Sequence, residues 1–220
     1  MKKNMLVSPQ NCTTEYDILA WAIKLRQPVS LVVILLCAVI LFTTPPSWRG
    51  NASIELLMDM SGLTLVVLAA FGRIWSSLYI SGYKEDRVVV EGPYAIVRNP
   101  LYVCSFVGAI GLGLASRHLA ILGLVVLAFL LYYPVVVLAE ERNLQRKFGQ
   151  DYEAYRQRVP RFCPKRFPLV EPDAYPLRPR HVRRSLQEIL WFFWSYLILH
   201  LAVVLQSDSV VAAARHLGAH

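Results

Sequence analysis

Residues 101 to 139 read LYVCSFVGAIGLGLA, SRH, LAILGLVVLAFLLYYPVVVLA: two apolar runs, Leu101 to Ala115 and Leu119 to Ala139, separated only by Ser116, Arg117 and His118. A single helix through both would extend ~58 Å at 1.5 Å per residue, about twice the hydrocarbon thickness of a bilayer. The pair is therefore expected to fold back as a tight helical hairpin over about 101–139. Gly108, Gly111 and Gly113 in the first arm permit close helix contact.

Working outward, residues 28–42 (PVSLVVILLCAVILF), 54–80 and 186–205 (LQEILWFFWSYLILHLAVVL) approach or exceed the ~17 to 25 residues that cross a membrane. The 220 residues are 55% hydrophobic and 17% charged, outside the usual range of a water-soluble domain. The expected fold is all-α: a polytopic membrane protein with about five transmembrane helices. Lys2 and Lys3 are followed by the polar stretch Ser8 to Asp17 rather than by an apolar segment, so the first span is expected to anchor the chain in place of a cleaved signal.

Charge sets the expected orientation. Net charge is +8, and twelve basic against five acidic residues fall between Glu141 and Ser185. The positive-inside rule makes that segment cytoplasmic. Counting back through the hairpin puts 92–100 and the N-terminus, with Lys24 and Arg26, on the same side and residues 45–52 outside. The excess charge flanks spans and accompanies no nucleic-acid reading module, so attraction to anionic headgroups accounts for it. Cys12, Cys37, Cys104 and Cys163 are scattered and suggest no disulfide framework or zinc site. His216 and His220 have metal-pair spacing, but at the chain end they read as a tail, and no metal is expected.

Beyond the hairpin, Leu144, Phe148, Tyr152, Tyr155 and Val159 recur at helical spacing, with Arg142, Arg146, Gln150, Glu153 and Arg156 opposite. The pattern predicts a cytoplasmic amphipathic helix continuing from the second arm and stopped by Pro160. Pro164, Pro168, Pro172, Pro176 and Pro179 then make an irregular linker to the last span. Three regions follow: 1–80 with the first two spans, 81–168 as a core, and 169–220 with the linker and final span.

Polar sequence at the base of the hairpin carries the chemistry. GPYAIVRNPLY (92–102) precedes the first arm, and EERNLQRKFGQDYEAYRQRVPRFCP (140–164) follows the second. Glu140 and Glu141 are neighbours about 100° apart on a helix, so they do not form a shared-proton dyad; one can face the bundle while the other reaches solvent or a basic neighbour.

Together these segments resemble the integral-membrane methyltransferases of the isoprenylcysteine carboxyl methyltransferase and phospholipid methyltransferase superfamily. The resemblance covers roughly residues 79–164. It implies S-adenosylmethionine as cofactor, held by Arg87, Val88, Val89, Tyr94, Asn99, Pro100, Leu101, Tyr102 and Glu140, with Glu141 as the candidate catalytic carboxylate. It also implies methyl transfer to a lipid or other hydrophobic small molecule. A carboxylate suits a ribose diol, and aromatic faces suit a sulfonium. Two positions depart from the family pattern. Asn99 stands where the family has a histidine and cannot titrate, and Val136 stands where prenylcysteine enzymes have a substrate-binding arginine. The alternatives are an NADPH-dependent sterol or enone reductase, whose family uses a similar arginine-histidine-proline element, and a non-catalytic membrane scaffold. Arg73 and Asp59, near opposite ends of the second span, are read as structural.

Overall fold

The computed structural model describes residues 9–48, 50–83, 87–164, 171–172 and 179–217. Seven helices lie in them: α1 (Pro9–Thr43), α2 (Ala52–Tyr83), α3 (Pro93–Ile96), α4 (Pro100–Ala115), α5 (Leu119–Phe148), α6 (Gln150–Arg158) and α7 (Pro179–Leu217). The protein is an all-α polytopic membrane protein. Four stretches, Lys24–Thr43, Ala52–Ser81, Leu119–Phe148 and Val182–Gln206, are long and apolar enough to cross a bilayer. The fifth apolar helix, α4, has 16 residues and rises only ~24 Å, short of the ~30 Å hydrocarbon core.

Helix α4 sits centrally, packed against α2, α5 and α7. Its glycines explain how, and two of the three serve neighbours other than the hairpin partner. A Cβ on Gly62 of α2 would lie 2.7 Å from the Gly111 carbonyl oxygen, and one on Gly111 would lie 2.7 Å from that of Gly62. Only hydrogen fits at both positions, so the two backbones touch. Gly108 receives the Phe192 ring of α7, and Gly113 alone meets α5, at Leu122. The outward faces carry exposed Phe42, Phe71, Leu131 and Trp191, as a bilayer solvent allows.

The hairpin turn is fixed by polar contacts at the bundle end remote from the motifs. Arg117 adopts φ 58°, an uncommon conformation for a side-chain-bearing residue, and its guanidinium pairs with Asp59 and Glu55 of α2. Asp59 is only 6% exposed, so this pairing makes its burial tolerable. Buried His118 engages the Thr44 carbonyl through Nε2 at 2.9 Å, Ser47 donates its N–H to the Arg117 carbonyl, and Asn51 caps α2 through the Ile54 N–H. At the same end Leu41, Ile121 and Val203 join α1, α5 and α7.

The expected continuous helix beyond the second arm is instead two helices. Gly149 adopts φ 53°, ending α5 and starting α6 in a new direction. The predicted face divides accordingly: Tyr152 and Tyr155 are buried at 2% and 3% exposure, whereas Leu144 is exposed. Residues 165–170 and 173–178 of the proline-rich linker, the side chains of Cys12 and His216, and the whole of His220 lie outside what is described.

Candidate functional site

Both motif segments meet at the other end of the hairpin. The turn begins at Gly92, whose φ of 56° favours glycine and where a Cβ would fall 2.5 Å from the Tyr79 ring, displacing it. Pro93 and Pro100 each open a helix at its first turn, where the missing N–H costs nothing. The single-turn α3 therefore leads, through Val97 to Asn99, directly into α4.

Glu141 is the knot. Its side chain is 5% exposed and faces the incoming motif, where Asn99 donates to Oε1 at 2.9 Å. Arg98 and Arg161 both donate to Oε2, at 3.3 and 2.7 Å. The Arg98 N–H also donates to the Pro160 carbonyl at 2.9 Å. One carboxylate thus ties α5, the motif before α4 and the segment after α6 together, fully occupied by charge-assisted hydrogen bonds. Tyr155 adds a second tie, donating its hydroxyl to the Tyr94 carbonyl at 2.8 Å; burial pushes its phenol well above the ordinary tyrosine range. Tyr152, beside Arg98 and Glu141, is pushed up to about 12, chiefly by burial and then by the Glu141 charge.

Glu140 has the opposite environment. Its side chain is 38% exposed, accepts the Tyr102 hydroxyl at 2.8 Å, and lies 3.8 Å from Arg26 of α1. Arg26 also donates to the Tyr102 oxygen at 3.3 Å. From Tyr102 an aromatic ladder descends into the bundle: its ring meets Tyr133 edge-on at 5.6 Å, and Tyr133 stacks on Phe129 at 3.9 Å.

The nine candidate cofactor residues therefore fall in four places. Tyr102 and Glu140 are in direct contact. Asn99, Pro100 and Leu101 lie beside them, with Asn99 committed to Glu141 and the Leu101 carbonyl accepting from Arg73. Tyr94, 7% exposed, sits behind this layer under α6. Arg87, Val88 and Val89 form the approach to Gly92, with Arg87 paired to Glu91 at 2.8 Å rather than to either carboxylate of α5. Val136 is fully buried. Sequence reading left Arg26, Arg98, Arg161 and Tyr133 out of the site. Arg98 and Arg161 lie inside the two quoted motifs, so their charge beside a carboxylate pair was the available signal. Arg26 is brought in by a fold contact 76 residues away and carried none.

These features define a multi-pass membrane protein whose two polar motifs are locked across the base of a hairpin, leaving one carboxylate accessible beside an aromatic ladder. A family model described as phospholipid methyltransferase matches residues 57–151. The chain is 36% identical over 160 residues to the cobalt-zinc-cadmium resistance protein CzcN of Cupriavidus metallidurans, covering 73% of this chain and 70% of that one. It is 32% identical over 169 residues to the nickel-cobalt-cadmium resistance protein NccN of Alcaligenes xylosoxydans xylosoxydans (77% and 78%). It is also 32% identical over 94 residues to the protein-S-isoprenylcysteine O-methyltransferase of Schizosaccharomyces pombe (42% and 40%). No solved structure matches. The chain belongs to the superfamily of integral-membrane methyltransferases that includes the isoprenylcysteine carboxyl methyltransferases and the phospholipid methyltransferases.

Proposed function

We propose that the protein transfers a methyl group from S-adenosylmethionine to a lipid or other hydrophobic small molecule at the cytoplasmic face of a membrane. The observation that carries this reading is the division of labour between adjacent carboxylates, Glu141 saturated by Asn99, Arg98 and Arg161, and Glu140 accessible beside Tyr102. A partly exposed carboxylate suits a ribose diol or an α-ammonium group, and the faces of Tyr102 and Tyr133 suit a sulfonium and an adenine. The donor set at this end fits the cofactor.

When bound, S-adenosylmethionine supplies the methyl group already activated on sulfur. The chain's own residues bind, orient and exclude water. Glu140 and Tyr102 would hold the cofactor's polar atoms, with the turn from Tyr94 to Leu101 walling its other side and Arg87 to Val89 closing the approach. Glu141 is a positioning residue in this scheme, fixing Asn99 and Arg98 and through them the turn, rather than a group that touches reactants. Alignment of two reactants ~3 to 3.5 Å apart accounts for a large share of such a barrier, so rigidity of this turn is where the protein contributes most. Asn99 cannot exchange a proton near neutral pH, so the scheme assigns no acid-base step to it. Orientation follows from the excess of Lys and Arg at this end. The metal resistance for which two relatives are named would then arise indirectly, through modification of a lipophilic membrane component.

The test is transfer of radiolabelled methyl from S-adenosylmethionine into organic-extractable material, using membranes that express the protein or its Glu140→Ala variant. Label that requires Glu140 supports the proposal. No incorporation above empty membranes, with the protein folded, would sink it.

A further inference from the structure

A cavity of about 540 Å³ lies within the membrane region between α1, α4, α5 and α7. Its lining is almost wholly apolar, represented by Val33, Cys37, Leu112 and Ala202, and it runs along α5 from Ile121 to Tyr133, about 18 Å of helix rise. Its two ends differ. At the end remote from the motifs the floor is Leu41, Ile121 and Val203, exposed 6%, 4% and 2%, and Gln206 of α7 ties it by donating to the Leu41 carbonyl at 3.0 Å. At the other end stand Phe129 and Tyr133, the lower rungs of the ladder that leads through Tyr102 to Glu140 and Arg26.

The cavity's polar side chains are few, Ser30, Ser195 and the two tyrosines Tyr132 and Tyr133. Ser30 spends its hydroxyl on the Arg26 carbonyl at 2.8 Å. An occupant must therefore be apolar along the cavity, with any polar group at the Tyr132 and Tyr133 end, from which Tyr102 leads on to the Glu140 and Arg26 pair. An apolar cavity of ~150 Å³ takes one benzene ring, so 540 Å³ has room for roughly twenty carbon atoms. A helix ~10 Å across would need well over twice that volume over the same length. Walls α1 and α7 lie outside the stretch matched by the family model, 57–151, which supplies only the α4 and α5 walls.

The geometry points to a seat for a single aliphatic chain of the methyl acceptor, with its polar group at the Tyr133 end, next to the Tyr102 and Glu140 contact assigned to the cofactor, and its length limited by the floor of Leu41, Ile121 and Val203. The acceptor assignment rests on the transferase reading; the seat and its depth do not. The cavity is open along one side, where Ile34 and Phe42 are exposed; a chain shorter than it leaves unfilled apolar space over the floor, and a longer one must bend out of the open side or leave its polar end short of the Tyr133 end. Either loss lowers occupancy.

Full-length protein in detergent is photolabelled with a diazirine-bearing hexadecanol in competition with n-alkanols from eight to twenty-four carbons, and S-adenosylhomocysteine binding is measured on the same preparations. Label is expected on the α1 and α7 peptides holding Cys37 and Ala202, with competition strengthening up to roughly twenty carbons and then ceasing to improve. Ala202→Phe adds about a benzene ring to the cavity and should move that limit down by roughly six carbons. Leu41→Ala removes three carbons from the floor and should move it up by roughly three. The opposed signs keep the test decisive if one variant does not fold. Label spread equally over the outward face, for instance near Phe71 and Trp191, or a limit that neither substitution moves, overturns the seat. Loss of length selectivity with S-adenosylhomocysteine binding intact refutes this inference alone, and length selectivity without that binding refutes the transferase reading alone.

Discussion

Replacing Glu141 by alanine tests whether this carboxylate is a clamp. The substitution removes the shared acceptor of Asn99, Arg98 and Arg161. Arg98, 10% exposed at its side chain, is left as a buried charge without its carboxylate, a loss of about 3 to 5 kcal/mol. The Arg161 pair adds little, since the Arg161 side chain is 37% exposed and solvent screens it. For a chain of this size each kcal/mol moves the melting temperature by about 2 to 4 °C, so Glu141→Ala should melt about 6 to 20 °C lower in detergent. Combining Glu141→Met with Arg98→Met removes both charges and should recover much of that loss, because an apolar pair replaces a buried ion pair at little cost. Melting of the wild type, Glu141→Met, Arg98→Met and the double variant, followed by tryptophan fluorescence, closes the double-mutant cycle. The reasoning is refuted if Glu141→Ala melts with the wild type while methyl transfer disappears, for Glu141 would then act on reactants and not on structure.

Other consequences can be measured separately. Tyr102→Phe deletes the hydroxyl that donates to Glu140 and should weaken S-adenosylhomocysteine binding by about three- to tenfold in calorimetry, the scale of one ordinary hydrogen bond, with melting little changed. Gly111→Leu places atoms where only 2.7 Å separates a Cβ from the Gly62 carbonyl, and overpacking there should destabilise by at least about 1 to 3 kcal/mol, seen as a lower melting temperature. Arg117→Ala strands Asp59 at 6% exposure and should be among the least stable variants, with Asp59→Asn added to it restoring part of the loss. Tyr152, raised to about 12 in the folded protein against an ordinary value of 10, contributes stability that is complete below pH 10 and is lost as pH rises towards 12. Tyr152→Phe should remove that part of the alkaline decline, monitored by melting temperature between pH 9 and 11.5.

The hairpin and the polytopic all-α fold were legible because hydropathy over 101–139 leaves a bilayer little choice, and three intervening polar residues leave the turn little room. Composition did not disclose which neighbours the glycines serve: Gly111 and Gly108 look equivalent to Gly113 in sequence, and only tertiary packing sends the first two to α2 and α7. The break at Gly149 was hidden by an apolar periodicity that runs through it, although a glycine at that point is itself a stop signal. In the site, motif spacing brought Tyr102 beside Glu140 and Asn99 beside Glu141. What it could not weigh was which carboxylate is satisfied, since that depends on Arg161 arriving from beyond α6 and Arg26 from α1.

The most direct test of the central claim is calorimetric titration of the detergent-purified protein with S-adenosylhomocysteine and, separately, with NADPH. Saturable one-to-one binding of S-adenosylhomocysteine is expected, weakened at least tenfold by Glu140→Ala while the fold persists, with no saturable binding of NADPH. Saturable binding of NADPH with none of S-adenosylhomocysteine, or binding of S-adenosylhomocysteine indifferent to Glu140, would contradict that claim.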